Sequence, residues 1–428
     1  MGGKVKMKKV LCLSMVIMIL LSGCTSSKTV QTKTPETKGQ EKSAPIEQSM
    51  DSNYSTLLSP DNKLSIVRKP GAASYTNETK MTELPSYNPN SNKFGQVDLR
   101  SGDLTNLDLK ERFEDLIYAD FDSKTKWPDK LPDKFDPQMI MELGKNPGLG
   151  VRELHKKNVT GKGIGIAIID QGLLVDHIEY KDQLKLYEEI HCCDKEAAMH
   201  GPAVASIAVG KTVGVAPEAD LYYIAETHGV HKGAGEFDFD LSWLAKSIDR
   251  IVEINKTLPK GKKIRVISIS LGIGGKMNGY EKALEAIEKA KQEGIYTVYV
   301  GSDPYLGLGR DPLKSADKIT SFTKGEYWKK STYNNDRLLI PMDSRCTASP
   351  TGVNDYVFYR NGGASWTVPY VAGLYALACQ VKPNITPDVF WKEAFNTSDI
   401  APVNDGNQKE LGKIVNPVKL IDKLKNMK

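Results

Sequence analysis

Short, uninterrupted apolar runs recur through the second half of the chain, separated by longer stretches with helical spacing. Ile164-Gly165-Ile166-Ala167-Ile168-Ile169 contains no polar residue and stops at Asp170. A run of that length predicts a strand buried on both faces of a parallel sheet. Leu221–Ala225, Val266–Leu271 and Tyr296–Val300 read the same way. Val204–Val209, Leu241–Asn255, Tyr280–Glu293 and Trp366–Cys379 predict the helices between and after them. Strands alternating with helices predict an α/β fold, a three-layer α/β/α sandwich around a mainly parallel sheet, over residues 147–428. Sites in such sheets lie at the carboxyl ends of the strands. Asp170 and Asp303 both fall there.

Upstream the apolar pattern fades. Residues 25–91 are rich in Ser, Thr, Lys, Gln, Glu, Asn and Pro. This predicts a flexible tether over 24–93, and about 65 residues of coil would reach roughly 45 Å. Leu99, Leu104, Leu107 and Leu109 then punctuate a polar background, followed by Phe113, Leu116, Ile117 and Tyr118. The spacing hints at one leucine-rich turn, but a solenoid needs at least about three repeats. Residues 94–146 therefore read as a small appendage on the larger domain.

The first residues read as a signal peptide over 1–23. Lys4, Lys6, Lys8 and Lys9 precede the apolar segment Val10–Leu21, which is short for a membrane span. Leu21-Ser22-Gly23-Cys24 resembles a bacterial lipobox, so Cys24 is expected to carry lipid and hold the protein on the outer side of the cell membrane. The formal net charge of +5 drops to about +1 without the four signal lysines, a balance that points to neither nucleic acid nor an anionic surface. With 428 residues, 40% of them hydrophobic, one large core is expected. Cys192, Cys193, Cys346 and Cys379 remain after Cys12 and Cys24 are set aside. They are too few for a disulfide framework. Cys379 fits a small buried hydrophobe, adjacent Cys192 and Cys193 are poorly placed to bridge each other, and a pairing of either with Cys346 stays open. His191-Cys192-Cys193-Asp194 lacks a second ligand pair at zinc-like spacing.

Candidate chemistry sits at three points in order: Asp170-Gln171-Gly172, His200-Gly201 and Gly363-Ala364-Ser365. A serine hydroxyl needs an adjacent base to act as a nucleophile. A histidine at a helix start supplies one, and a strand-end aspartate can hold its tautomer. The order Asp, His, Ser is that of subtilisin. The flanks agree. Gly161-Lys162-Gly163-Ile164, Val213-Gly214-Val215-Ala216-Pro217, Ser268-Ile269-Ser270-Leu271-Gly272, Ala364-Ser365-Trp366-Thr367-Val368-Pro369-Tyr370-Val371-Ala372-Gly373 and Gly412-Lys413-Ile414-Val415-Asn416-Pro417 resemble segments of the subtilisin-like (S8) serine peptidases. The resemblance runs from about Gly148 to about Leu424.

That resemblance implies a catalytic triad of Asp170, His200 and Ser365, with the Ser365 N–H facing the oxyanion. It implies a substrate cleft lined by Ser270, Leu271, Gly272 and Gly301. It requires no cofactor. Calcium sites are common in the family, but no ligand set is assignable here. His155, His177, His191, His228 and His231 lie outside the motifs and read as surface or capping residues. Three departures stand out. Asp303, with Ser302 before it, occupies the oxyanion-hole position where the family carries an asparagine, and an ionised carboxylate cannot donate a hydrogen bond. Pro202 and Ala203 replace the usual Thr-His. Tyr370 replaces the usual histidine after Pro369. The family's inhibitory prodomain is not recognisable in 94–146. Pro304–Glu326 reads as an irregular stretch overhanging the P1 pocket, and no acidic pocket floor is evident. The leading expectation is a lipid-anchored extracytoplasmic serine endopeptidase acting on polypeptides. A pseudoprotease that holds peptides in the same cleft is the alternative, and a solute-binding lipoprotein leaves the triad motifs unexplained.

Overall fold

The apolar runs form the middle of a six-stranded sheet. Its order across the sheet is Ser55–Leu57, Leu184–Cys192, Asp220–Ala225, Gly165–Asp170, Ile264–Gly272 and Tyr296–Val300. The five inner and far strands run parallel, and Ser55–Leu57 is antiparallel to its neighbour. This computed structural model describes residues 53–427 apart from 76–79, 92, 234–235, 329–332, 334 and 406–407. The expected signal peptide and Cys24 lie outside the described residues. No helix among the described residues is long and apolar enough to cross a membrane.

Alternation along the Asp170 strand divides the core. Ile166 and Ile168 face one layer, with the helices His200–Val209 and Thr367–Val381. Ala167 and Ile169 face the other, with Leu241–Thr257 and Tyr280–Gln292. Period-two alternation thus feeds two helical layers from one apolar run. Leu241–Thr257 begins at Asp240, whose carboxylate accepts from the Ser242 N–H at 2.9 Å, an N-cap. It buries Leu244, Ile248, Ile251 and Val252 on one stripe, the spacing of an amphipathic helix. The fold is the expected α/β sandwich.

The polar segment expected to be a tether is packed from residue 53 onward. Its polar side chains satisfy buried charges on the edge strand. Glu188 and Glu189 are both completely buried. Arg250 grips Glu188 through two bonds of 2.8 Å, and the Ser59 N–H adds a third at 2.8 Å. Arg68 donates to Glu189 at 2.7 Å and also to the carbonyls of Lys195 and Asp194. Ser55 and Tyr187 donate to the same Glu189 carboxylate. Tyr54 stacks on His191 at 3.9 Å, and His191 stacks on Trp243 at 4.2 Å. Composition misleads here because the segment is held by charge pairing and backbone bonds rather than by apolar runs.

Residues 94–146 join the larger domain through a shared sheet. Ala119–Asp122 pairs with Tyr356–Tyr359 on one side and Val97–Asp98 on the other. Leu99, Leu104, Leu109 and Leu116 bury against Phe121, Phe135 and Phe358. The stretch 304–326 is not irregular throughout. Tyr305–Arg310 and Phe322–Lys324 are strands of a third sheet, which Leu338–Pro341 and Gln408–Ile414 continue. Its glycines misled the reading: Gly307 and Gly309 sit where a Cβ would strike Met342 Sδ at 2.3 Å and the Lys324 carbonyl at 2.4 Å.

Burial opposes ionisation of Glu188, but Arg250 and Ser59 outweigh it and hold the carboxyl below its ordinary range. A depressed carboxylate pKa gives stability that is present above the unfolded value of about 4.3 and lost as pH falls through the folded one. Arg250→Met should lower the stability of the purified protein by about 3 kcal/mol at neutral pH, because it strands a buried carboxylate. Arg250→Met with Glu188→Gln should recover part of that loss. Urea unfolding midpoints of the three proteins check both statements.

Candidate active site

Three segments meet at the carboxyl end of the sheet. Asp170 is the last residue of its strand and is 2% exposed. His200 is the first residue of its helix. That helix can start against the Asp170 turn only because residue 201 is glycine: a Cβ there would lie 2.5 Å from both the Gln171 carbonyl and the Tyr223 hydroxyl. The His200 Nδ1 then stands 2.7 Å from Asp170 Oδ1, which also accepts from the Gln171 N–H at 2.8 Å. With Nδ1–H given to the carboxylate, Nε2 is left as the basic nitrogen.

Ser365 sits on a single 3₁₀ turn, Ala364–Trp366, that runs into the helix Thr367–Val381. Thr367 Oγ1 closes the turn by donating to the Ala364 carbonyl at 2.6 Å. The next residue, Trp366, packs its ring against the His200 imidazole with centroids 5.4 Å apart. Ser365 is also tied to the neighbouring strand. Its Oγ donates to the Ser270 carbonyl at 3.3 Å, and Ser270 Oγ returns a bond of 3.0 Å to the Ser365 carbonyl. In this rotamer the hydroxyl faces the Ser270 carbonyl.

Ser270, Leu271 and Gly272 end the strand beside Ser365, and Ser270 and Leu271 are buried. Gly272 pairs with Val300, one residue before Gly301. A Cβ at Gly301 would meet nothing within 4 Å, and its φ is +86°. The four expected cleft residues therefore come together at one edge.

The Asp303 carboxylate is bonded to neighbouring hydroxyls. Its Oδ2 accepts from the Tyr296 hydroxyl at 2.6 Å and from the Ser302 hydroxyl. Tyr296 in turn accepts from the Trp391 indole at 3.0 Å. Burial raises the Asp303 pKa, and the hydroxyls of Ser302 and Tyr296 oppose that rise. The carboxylate is an acceptor tied back to the start of its own strand and to the helix Pro387–Asn396. No hydrogen bond among the described residues links it to Ser365. Two hydroxyl donors are available to it one and seven residues away.

Other groups around the triad were not anticipated. Glu226 is fully buried, and its N–H donates to the Asp170 carbonyl at 2.8 Å. It pairs with His228 Nδ1. Burial disfavours the His228 cation, but Glu226 overcomes this and raises its pKa. Asp194 accepts from the Gly172 N–H at 2.7 Å, and its own pKa is raised, chiefly by burial and then by Asp170. The available signal was position: Glu226-Thr227-His228 follows directly on a predicted strand's carboxyl end. His177 and His191 are buried rather than on the surface, and His155 Nε2–H donates to the Val215 carbonyl at 2.8 Å. Cys192, Cys193, Cys346 and Cys379 are free thiols, so the pairing left open is not made.

The sheet, the Asp170–His200 pair and the Ser365 turn form one candidate site at the strand ends. Residues 161–302, a span that holds Asp170 and His200, match the model of the subtilase family. It is 24% identical over 295 residues to "Alkaline protease 2" of Aspergillus fumigatus, covering 65% of this chain and 58% of that one. It is 24% identical over 296 residues to "Subtilisin-like serine protease pepC" of Aspergillus niger, covering 65% and 53%. The chain thus matches just over half the length of these curated relatives. Among solved structures, "Structure of Prenylagaramide maturation protease PagA" shows 18% identity and a TM-score of 0.42 over 64% of this chain and 98% of that one. A TM-score at that level carries no weight for the fold.

Because Asp303 is bound to Tyr296 and Ser302, Asp303→Asn should change kcat on a peptide substrate by less than about 3-fold, whereas an oxyanion donor is worth about 10²–10³. The kcat–pH profiles of the two forms, measured side by side, check this. A large gain at neutral and alkaline pH would return Asp303 to the oxyanion hole.

Proposed function

We propose that the protein is a lipid-anchored, extracytoplasmic serine endopeptidase. The observation that carries this is the 2.7 Å bond between His200 Nδ1 and the buried Asp170 carboxylate, beside a serine on a tight turn at the head of a helix. In the proposed reaction His200 Nε2 takes the Ser365 proton as Oγ attacks the scissile carbonyl. Asp170 holds the tautomer and stabilises the imidazolium. The Ser365 backbone N–H, at the entry to a helix, donates to the tetrahedral oxyanion. His200 then returns the proton to the leaving amine, and water repeats the cycle on the acyl-enzyme. No cofactor enters these steps.

Extended polypeptide is the substrate class that suits the cleft. The strand end Ser270–Gly272 offers backbone groups to an incoming strand, a mode in which main-chain bonds give affinity and pockets give side-chain preference. Membrane attachment rests on the lipobox-like Leu21-Ser22-Gly23-Cys24. One acyl chain binds only marginally, so firm anchoring needs more than one chain on Cys24.

The pseudoprotease reading draws on one feature, the Ser365 hydroxyl turned toward Ser270. A fluorophosphonate probe separates the two, since only an activated serine reacts. Wild type should label and hydrolyse unstructured peptides. Ser365→Ala should do neither. His200→Ala and Asp170→Asn should each lose most of the activity, with strongly non-additive combinations because the three act as a unit. Equal hydrolysis by wild type and Ser365→Ala would remove the enzyme reading. Cys24→Ala should shift the protein from the detergent phase to the aqueous phase in a partitioning assay, and an unchanged partition would remove the anchor.

A further inference from the structure

We propose that the layer between the His200 helix and the Ser365 helix holds a small monovalent anion, bound by Arg345 and Tyr370. Arg345 opens the strand Arg345–Ala348 and is 2% exposed. That strand lies on the His200 helix, where the Ala348 N–H donates to Ser206 Oγ at 3.0 Å. Arg345 makes one side-chain hydrogen bond, from Nη2 to the Val213 carbonyl at 3.2 Å, just beyond the end of the His200 helix. Its Nε and Nη1 have no partner among the described residues. Tyr370, on the Ser365 helix, is completely buried, and its hydroxyl also lacks a partner. The guanidinium carbon lies 5.9 Å from the centre of the Tyr370 ring.

The charge balance sharpens the case. The groups that act on the Arg345 charge are Tyr370, Cys346 and Arg152, none of them a carboxylate. Buried Glu179 is committed to Thr212, Val213 and Tyr356. Asp317 is committed to Asn146 and the Gly150 N–H. A second buried guanidinium, Arg310, is satisfied entirely by the carbonyls of Asp311, Lys314 and Ser344, and it adds positive potential. Burial lowers the Arg345 pKa to about 10, which leaves it charged at neutral pH. Native proteins rarely leave buried donors unmet or buried charges unpaired. Water would meet the hydrogen bonds and leave the charge. A single small anion meets both, accepting from Nε–H, Nη1–H and the tyrosine hydroxyl in charge-assisted bonds.

The consequence is a bridge between the helix that begins at His200 and the helix that follows the Ser365 turn. It is independent of whether the site hydrolyses peptides, so it is read from stability. Purified full chain should melt about 2–4 °C higher in about 0.3 M sodium chloride than in sodium gluconate of equal ionic strength, the size expected of one saturated site on a domain this large. Tyr370→Phe keeps the ring and loses one donor, so the chloride concentration at half effect should rise about 3- to 10-fold. Arg345→Met should abolish the difference between the salts. Equal melting of wild type in both salts, or the same difference in Arg345→Met, overturns the proposal. Should Arg345→Met fail to fold, a wild-type crystal soaked in bromide decides: an anomalous peak between Arg345 and Tyr370 supports the site, and water alone there overturns it.

Discussion

The structure depends on how closely two helices approach each other under the sheet. The helix His200–Val209 begins with His200 and the helix Thr367–Val381 follows the Ser365 turn, and both are buried along nearly their whole length. Their sequences are dominated by small and β-branched residues, so backbones come near. At Gly373 a Cβ would stand 2.7 Å from Val215 Cβ. At Gly201 a Cβ would collide with the Gln171 carbonyl. Glycine at those two points lets one helix lie on the segment after the other and lets His200 reach Asp170. An alanine at either would push apart the residues that must meet, since a packed interior does not yield by that much without cost.

Buried charge is the second theme, and it is handled in several ways. Glu188 has a bidentate arginine, Glu189 has an arginine and two hydroxyls, and Asp170 has an imidazole. Asp303 is supplied with hydroxyl donors and a raised pKa instead of a cation. Arg310 is satisfied by carbonyl oxygens alone. The first pattern gives rigid, structural attachments. The His-Asp pattern fixes which imidazole nitrogen faces the carboxylate.

Much of this was legible before any coordinates. Apolar runs without interruption mark inner parallel strands, and the strands at 165–170, 221–225, 266–271 and 296–300 fall where that pattern places them. Asp170, His200 and Ser365 stand out because each ends or begins such an element. Segment 53–93 was not legible, because polar residues that pair with buried charges look the same in sequence as polar residues that face water. Arg68 and Ser59 acquire their role only from Glu188 and Glu189, more than a hundred residues away. The bonding of Asp303 is illegible for a related reason. Its position after a strand is local information, but the side chain's direction is set by Tyr296 and Ser302, and a rotamer is not written in spacing.

The segment that sequence reading set aside also bears on the catalytic centre. Arg68 donates to the Asp194 and Lys195 carbonyls, and Gly71 accepts from the Ala197 N–H at 2.8 Å. Those contacts fix the loop that runs into His200. Within the same loop, the Asp194 carboxylate holds the Gly172 N–H at 2.7 Å, and the Ala198 N–H donates to the Gly172 carbonyl at 2.9 Å. Gly172 is two residues from Asp170. The polar segment therefore braces both partners of the His-Asp pair through one loop, without touching either side chain. A loop held only by its own backbone would lose the alignment of imidazole and carboxylate first, so the apparent linker helps keep His200 in register with Asp170.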